Sequence, residues 1–235
     1  MTSSQQKIQV FALGGTIDKV YFDALSEYQV GEPQVGNIFK EAGLGIEFQI
    51  NSICSKDSLE ITEDDFVIGD ENAPVTIIEY ASLSCSHCAD FHINTLPDLI
   101  KEYVDTGKVK IVFRDFPFNY PALLGSMVVR CIPSDVRYDY MNALFQLQPK
   151  WVVRDNAKST QELYKIMQSG GMTKEEFETC TNNTELENII LQAVIAAQNE
   201  FNIQSTPSFL INGNLVEGNK SIKEFRQIIN KILSE

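Results

Sequence analysis

The spacing of apolar residues divides this chain into two stretches. In the first, Ile8-Gln9-Val10-Phe11-Ala12-Leu13 is predicted to be a strand, and Gly14-Gly15-Thr16 a tight turn after it. Tyr28 to Pro33 reads as a loop. Val35, Ile38, Phe39 and Ala42 have helical spacing up to a stop at Gly43, and Ile46, Phe48 and Ile50 alternate as in a half-buried strand. Ser58 to Asp65 is acidic and helix-starting in character. From Phe66 the pattern changes. Val67-Ile68 is predicted as a short edge strand, Val75 to Ala81 as an apolar strand, and Phe91, Leu96, Leu99, Ile100 and Tyr103 mark a helix running to about Asp105. Val109 to Phe113 is another strand. Residues from 119 to about 200 have little β-propensity and read as helices over 121–132, 135–148, 159–168, 173–181 and 184–201. Pro207 to Ile211 and Leu215-Val216 flank an Asn212-Gly213-Asn214 hairpin turn, and Ser221 caps an amphipathic helix carrying Ile222, Phe225, Ile228, Ile229 and Ile232.

The order β-β-α-β, helical block, β-β-α describes a sheet interrupted by an inserted helical domain. Residues 67–235 suffice for a complete α/β domain. Residues 1–66 form an incomplete βαβ-like segment, too short to cover both faces of a parallel sheet.

Chemistry concentrates where the strand at 75–81 meets the following helix, at Cys85-Ser86-His87-Cys88. A helix N-terminus presents unpaired N–H groups and the positive end of the macrodipole, and both stabilise a thiolate. A strand that delivers Cys-x-x-Cys to such a turn is a redox arrangement. A cationic His87 would add a second positive charge. Two buried apolar cysteines, or half of a zinc site, are the plainer readings. The chain has only two histidines, His87 and His92, and no second Cys-x-x-Cys, so no metal is expected. His92 reads as a solvated helix residue.

Composition narrows the partners. Of 235 residues, 43% are hydrophobic, enough for a sizeable core, and the formal net charge of −13 argues against nucleic acid or an anionic membrane surface as a partner. No apolar run approaches the length of a transmembrane helix. The polar start Met1 to Lys7 does not read as a secretory signal, which points to the cytosol. The five cysteines point instead to an oxidising compartment.

Residues 67–235 resemble the DsbA-type thiol-disulfide oxidoreductases of the thioredoxin superfamily, particularly those of alphaproteobacteria. The resemblance is carried by Ala73-Pro74-Val75 through Ser82, Cys85-Ser86-His87-Cys88, Phe113-Arg114-Asp115-Phe116-Pro117 and Ser205-Thr206-Pro207-Ser208-Phe209. It implies a thioredoxin fold with a helical insertion at about 119–200. It makes Cys85 the nucleophile, Cys88 the resolving cysteine and His87 a stabiliser of the Cys85 thiolate. Glu79 becomes a buried acid assisting proton transfer near Cys88, Pro207 a cis-proline facing the site, and Thr206 part of the substrate-binding loop. It implies a structural disulfide between Cys131 and Cys180, where the residues alone leave two buried thiols open. The expected partners are reduced protein substrates and a reoxidising partner, of which a membrane protein is one kind. No cofactor is called for, and the family's compartment is the periplasm. Ser86 departs from the proline of the best-known members, at a dipeptide that tunes redox potential.

Residues 1–66 resemble the start of the asparaginase/glutaminase family through Leu13-Gly14-Gly15-Thr16-Ile17-Asp18-Lys19, Tyr28-Gln29-Val30-Gly31 and Ser55-Lys56-Asp57-Ser58. Thr16 matches that family's nucleophile, Tyr28 its activating tyrosine and Ser55 a substrate-contacting serine. The second Thr-Asp motif and the lysine that complete the machinery do not follow, so an idle threonine in a Gly-Gly turn is expected. Three functions therefore compete: a thiol-disulfide oxidoreductase, an asparaginase-like amidohydrolase using Thr16, and a redox-inert peptide-binding module.

Overall fold

The computed structural model describes strands at 8–12, 19–22, 27–30 and 48–52, positions 59 and 61, and residues 65–234 without a break. The chain divides into two compact units, Met1–Ile61 and Thr62–Glu235. In the first, β1 (Ile8–Ala12) pairs in parallel with β4 (Phe48–Ser52), Ile8 opposite Phe48. Strands β2 (Lys19–Phe22) and β3 (Glu27–Val30) form an antiparallel pair with Tyr21 opposite Tyr28. The loop expected from Tyr28 is therefore corrected over Tyr28–Val30. Val20, Tyr21 and Phe22 are strand-forming residues, and the strand they make with Lys19 gives Tyr28 a partner in Tyr21 and Val30 one in Lys19. Thr16, Ser55, Cys54 and the helix expected over 35–42 lie outside the described residues.

The second unit is built on a five-stranded sheet in the order β5-β7-β6-β8-β9. Its strands are β5 (Phe66–Ile68), β6 (Val75–Ala81), β7 (Val109–Asp115), β8 (Ser208–Ile211) and β9 (Asn214–Glu217). Only β6 and β7 run parallel; the other pairings are antiparallel. Central β6 is covered on both faces, which is why Val75-Thr76-Ile77-Ile78 reads as a continuous apolar run rather than an alternation.

A continuous helix over residues 86–104 (α1) follows β6. It has α-helical turns at Ser86–Asp90 and Leu96–Leu99 and π-helical turns at Phe91–Thr95 and Ile100–Val104. The insertion contributes α2 (Tyr120–Cys131), α3 (Arg137–Gln146), α4 (Gln148–Trp151), α5 (Asn156–Ser169), α6 (Lys174–Thr181) and α7 (Thr184–Phe201). The single helix expected over 135–148 is two, parted at Leu147, with Pro149 in the first turn of α4. Helix α5 begins earlier than its apolar spacing suggests because Asp155 accepts the Lys158 N–H at 2.9 Å as an N-cap. The last helix, α8 (Ile222–Ile232), starts in a Ser221–Glu224 capping box.

Two cores flank the sheet. On one face Ile77, Ile111, Phe113, Phe209 and Ile211 pack with Cys88, Phe91, Leu96, Phe145, Trp151 and Phe225. On the other, Ile78, Tyr80, Val112 and Leu210 pack with Phe116, Ile203 and Ala197 of α7. Asp65 anchors the start of the unit through a bidentate ion pair with Arg114 of β7, both contacts at 2.9 Å.

Candidate active site

The site forms where β6 ends. Ala81 closes the strand, its carbonyl accepting the Phe116 N–H at 2.7 Å, and the chain turns through Ser82–Ser84, with the Cys85 N–H donating to the Ser82 carbonyl at 2.9 Å. Cys85 is the N-cap of α1, in extended conformation at φ −84°, ψ 121°. Its sulfur is half-buried and donates to the Thr206 carbonyl at 3.3 Å. The Thr206–Pro207 bond is cis and both residues are buried beside the sulfur. The expected juxtaposition of Cys85, Thr206 and Pro207 is thus present.

The two thiols differ sharply. Hydrogen bonding from the Cys88 thiol lowers the Cys85 pKa to about 5, helped by Thr206 and by the backbone N–H groups of Cys88 and His87 against the opposing effect of partial burial. Cys88 is fully buried, and burial first, then the Cys85 hydrogen bond and the Glu79 charge, push its thiol upward. One sulfur is an accessible thiol that ionises readily and the other a protected acid. His87 is exposed, and what it brings to the Cys85 sulfur is its backbone N–H.

Two residues of this site carry no motif in the sequence. Gln148 opens α4 and is buried. Its Nε2 donates to the carbonyls of Leu83 at 2.9 Å and Cys85 at 3.0 Å, so the insertion holds the loop that presents Cys85. The second is His92. The solvated position expected for it is overturned: it is fully buried, and its Nε2 lies 3.2 and 3.0 Å from the two carboxylate oxygens of Glu79, also fully buried. The ring stacks on Phe145 at 4.1 Å between centroids. The reason is position along α1. His92 is four residues beyond Cys88 and four before Leu96, on the inward face, and Glu79 supplies the acceptor that makes its burial affordable. That i, i+4 spacing was the signal available.

Cys131 of α2 and Cys180 of α6 form a disulfide, with their Cα atoms 6.2 Å apart, within the helical block. Among the described residues no cluster of His, Cys, Asp or Glu is arranged to hold a metal ion, and no helix is long and apolar enough to cross a membrane.

A cysteine pair at the N-terminus of a helix, faced by a cis-proline loop on an α/β sheet, defines a thioredoxin-type redox site, and the chain belongs to the thioredoxin family: the family profile described as Thioredoxin matches residues 61–231. Among its relatives is a protein named putative protein-disulfide oxidoreductase from Rickettsia felis, 32% identical over 183 residues, which span 77% of this chain. The matched region covers 64% of the length of that relative. Disulfide bond formation protein D of Bacillus subtilis is 28% identical over 179 residues, covering 71% of this chain and 76% of that protein. The crystal structure of alpha-DsbA1 from Wolbachia pipientis superposes with a TM-score of 0.70 at 30% identity, covering 75% of this chain and 94% of the other. These matches bear out the DsbA-type thioredoxin fold with a helical insertion.

Proposed function

We propose that the protein is a thiol-disulfide oxidoreductase that passes a Cys85–Cys88 disulfide to reduced protein substrates. The observation that carries this reading is the asymmetry of the pair, a half-buried Cys85 held near pKa 5 beside a buried Cys88 pushed the other way. A substrate thiolate attacks the Cys85 sulfur and the Cys85–Cys88 bond breaks. Its electron pair goes to Cys88, which takes up a proton. A second substrate thiolate then attacks the substrate sulfur of the mixed disulfide, forming the substrate disulfide and expelling Cys85 as a thiolate. That low-pKa thiolate is a good leaving group.

Glu79 is assigned the proton transfer at Cys88, and Thr206 and Pro207 the wall of the substrate groove. A separate redox partner reoxidises the pair. No organic or metal cofactor enters the scheme. The Cys131–Cys180 disulfide supports an oxidising compartment, and the names of the relatives support the activity. Residues 1–66 are assigned no catalytic part, because the asparaginase-like residues Thr16, Tyr28 and Ser55 lack their complementary motif. Reduction of insulin by the dithiol, and oxidation of a reduced, unfolded protein by the disulfide, test the reading. Cys85→Ser should abolish both, and Cys88→Ser should accumulate mixed disulfides. Exchange that persists without Cys85 refutes it.

A further inference from the structure

Glu79 is an acid with no exposure to water, and His92 supplies the hydrogen bonds to its carboxylate among the described residues. A buried carboxylate without a donor is costly, so the pairing decides whether Glu79 has a fixed place. The imidazole geometry is specific. Two acceptor oxygens face Nε2, so Nε2 carries the hydrogen and donates. Nδ1 is buried without a hydrogen-bond partner. Phe145 stacks on the ring, and Phe91 and Phe113 lie against it at 5.5 and 5.6 Å between centroids, which leaves the ring little freedom to turn. Cys88 lies one helical turn before His92, and the Glu79 charge acts on the Cys88 thiol.

We propose that His92 is a positioning residue for thiol-disulfide exchange: its Nε2–H bridges both oxygens of Glu79 and holds the carboxylate where it exchanges a proton with Cys88. The proposal rests on the oxidoreductase reading above and adds a residue to it. When the mixed disulfide is resolved from within, the Cys88 thiol gives its proton to Glu79. The sulfur then attacks Cys85, and the bond between Cys85 and the departing group breaks with the electron pair leaving on that group. His92 loses no proton in this step. Its role is to keep the receiving oxygen from rotating away.

The test separates the two cysteines. Reduced full-length protein carrying Cys54→Ala is mixed with the chromogenic disulfide dithiobis-nitrobenzoate, and thionitrobenzoate release is followed by stopped flow. The first release reports attack by Cys85, and the second reports closure by Cys88. His92→Phe should slow the second release about tenfold or more and leave the first within about twofold. Glu79→Gln should do the same. Combining the two should add less than about twofold, because they act as one unit. His92→Gln, which can place an N–H where Nε2 was, should recover the second phase to within about threefold of the parent, whereas His92→Asn, too short to reach, should not.

Equal slowing of both phases, equal rates for the Gln and Asn variants, or full additivity with Glu79→Gln would overturn the proposal in favour of simple packing. The Gln and Asn pair decides the matter even where His92→Phe does not fold. A parent that performs both releases but does not reduce insulin defeats the protein-substrate reading and leaves His92 standing. A parent that never performs the second release defeats both.

Discussion

The low pKa of Cys85 makes folding stability of the reduced protein depend on pH in a calculable way. The perturbation is Cys85→Ser, which keeps a small polar side chain at the N-cap but cannot ionise in this range. The folded pKa is about 5 against an ordinary 9.0. A group whose pKa is depressed by folding stabilises the native state fully above the unfolded value, and that stabilisation is lost as the pH falls from 9 to 5. At pH 7 the two units between folded pKa and solution correspond to about 2.7 kcal/mol. The sulfur is only half-buried, and solvent screening brings the expected figure to about 1–2 kcal/mol. Urea unfolding of the parent and of Cys85→Ser under reductant, from pH 4 to 8, measures the difference directly. The parent's advantage should be absent at pH 4 and grow steadily above pH 5. Thiolate absorbance in the ultraviolet should show one transition near pH 5, with alkylation at low pH mapping to Cys85. A stability difference flat across this range, or thiolate appearing only near the ordinary thiol value, would refute the account of how the helix start and Cys88 hold this anion.

Four further outcomes are expected. In the oxidised protein, mild reductant should open Cys85–Cys88 before Cys131–Cys180, because the first releases a stabilised thiolate; a timed peptide map checks this. Replacing Cys131 and Cys180 by alanine frees a loop closed over 49 residues and should cost up to about 4 kcal/mol in urea unfolding while insulin reduction persists. Gln148→Leu strands the buried Leu83 carbonyl and should lower stability by about 1–3 kcal/mol, with a loss of exchange rate that the packing-neutral Gln148→Glu does not repair, since a carboxylate cannot donate to either carbonyl. Deleting residues 1–61 should leave insulin reduction within a few-fold and the melting of the remaining unit nearly unchanged. Ammonia release from asparagine that is lost in Thr16→Ala would show a working second site.

Elements defined by local pattern were legible in the chain. Val75–Ala81 and Val109–Asp115 are apolar runs with β-forming residues, the Asn212-Gly213-Asn214 turn marks its hairpin, and the Ser221 cap marks α8. The cysteine pair and Thr206-Pro207 could be joined because each has its own short signature. What escaped depends on residues that meet only after folding. A lone polar His92 reads as solvated, because no local rule says that Glu79, on a different element, waits beside this position four residues from Cys88 to receive its N–H. Gln148 caps no helix and matches no motif, and its use is fixed by Leu83 and Cys85 more than sixty residues earlier. Tyr28 and Val30 became strand only because Lys19–Phe22 folds back beside them.

The strand order has a consequence for how the protein is made. During synthesis β6 acquires β7 along one edge as soon as Asp115 has emerged, but its other edge belongs to Ser208–Ile211. Everything from Phe116 to Pro207 must be translated before that partner exists. Throughout this interval Ile77, Ile78, Glu79 and Tyr80 offer an open row of backbone donors and acceptors, flanked by apolar side chains, to any extended chain nearby. The nascent protein therefore carries an unpaired central edge until almost all of it has been made, and a ribosome stalled within α7 would release a chain whose central strand has no means of closing its own sheet.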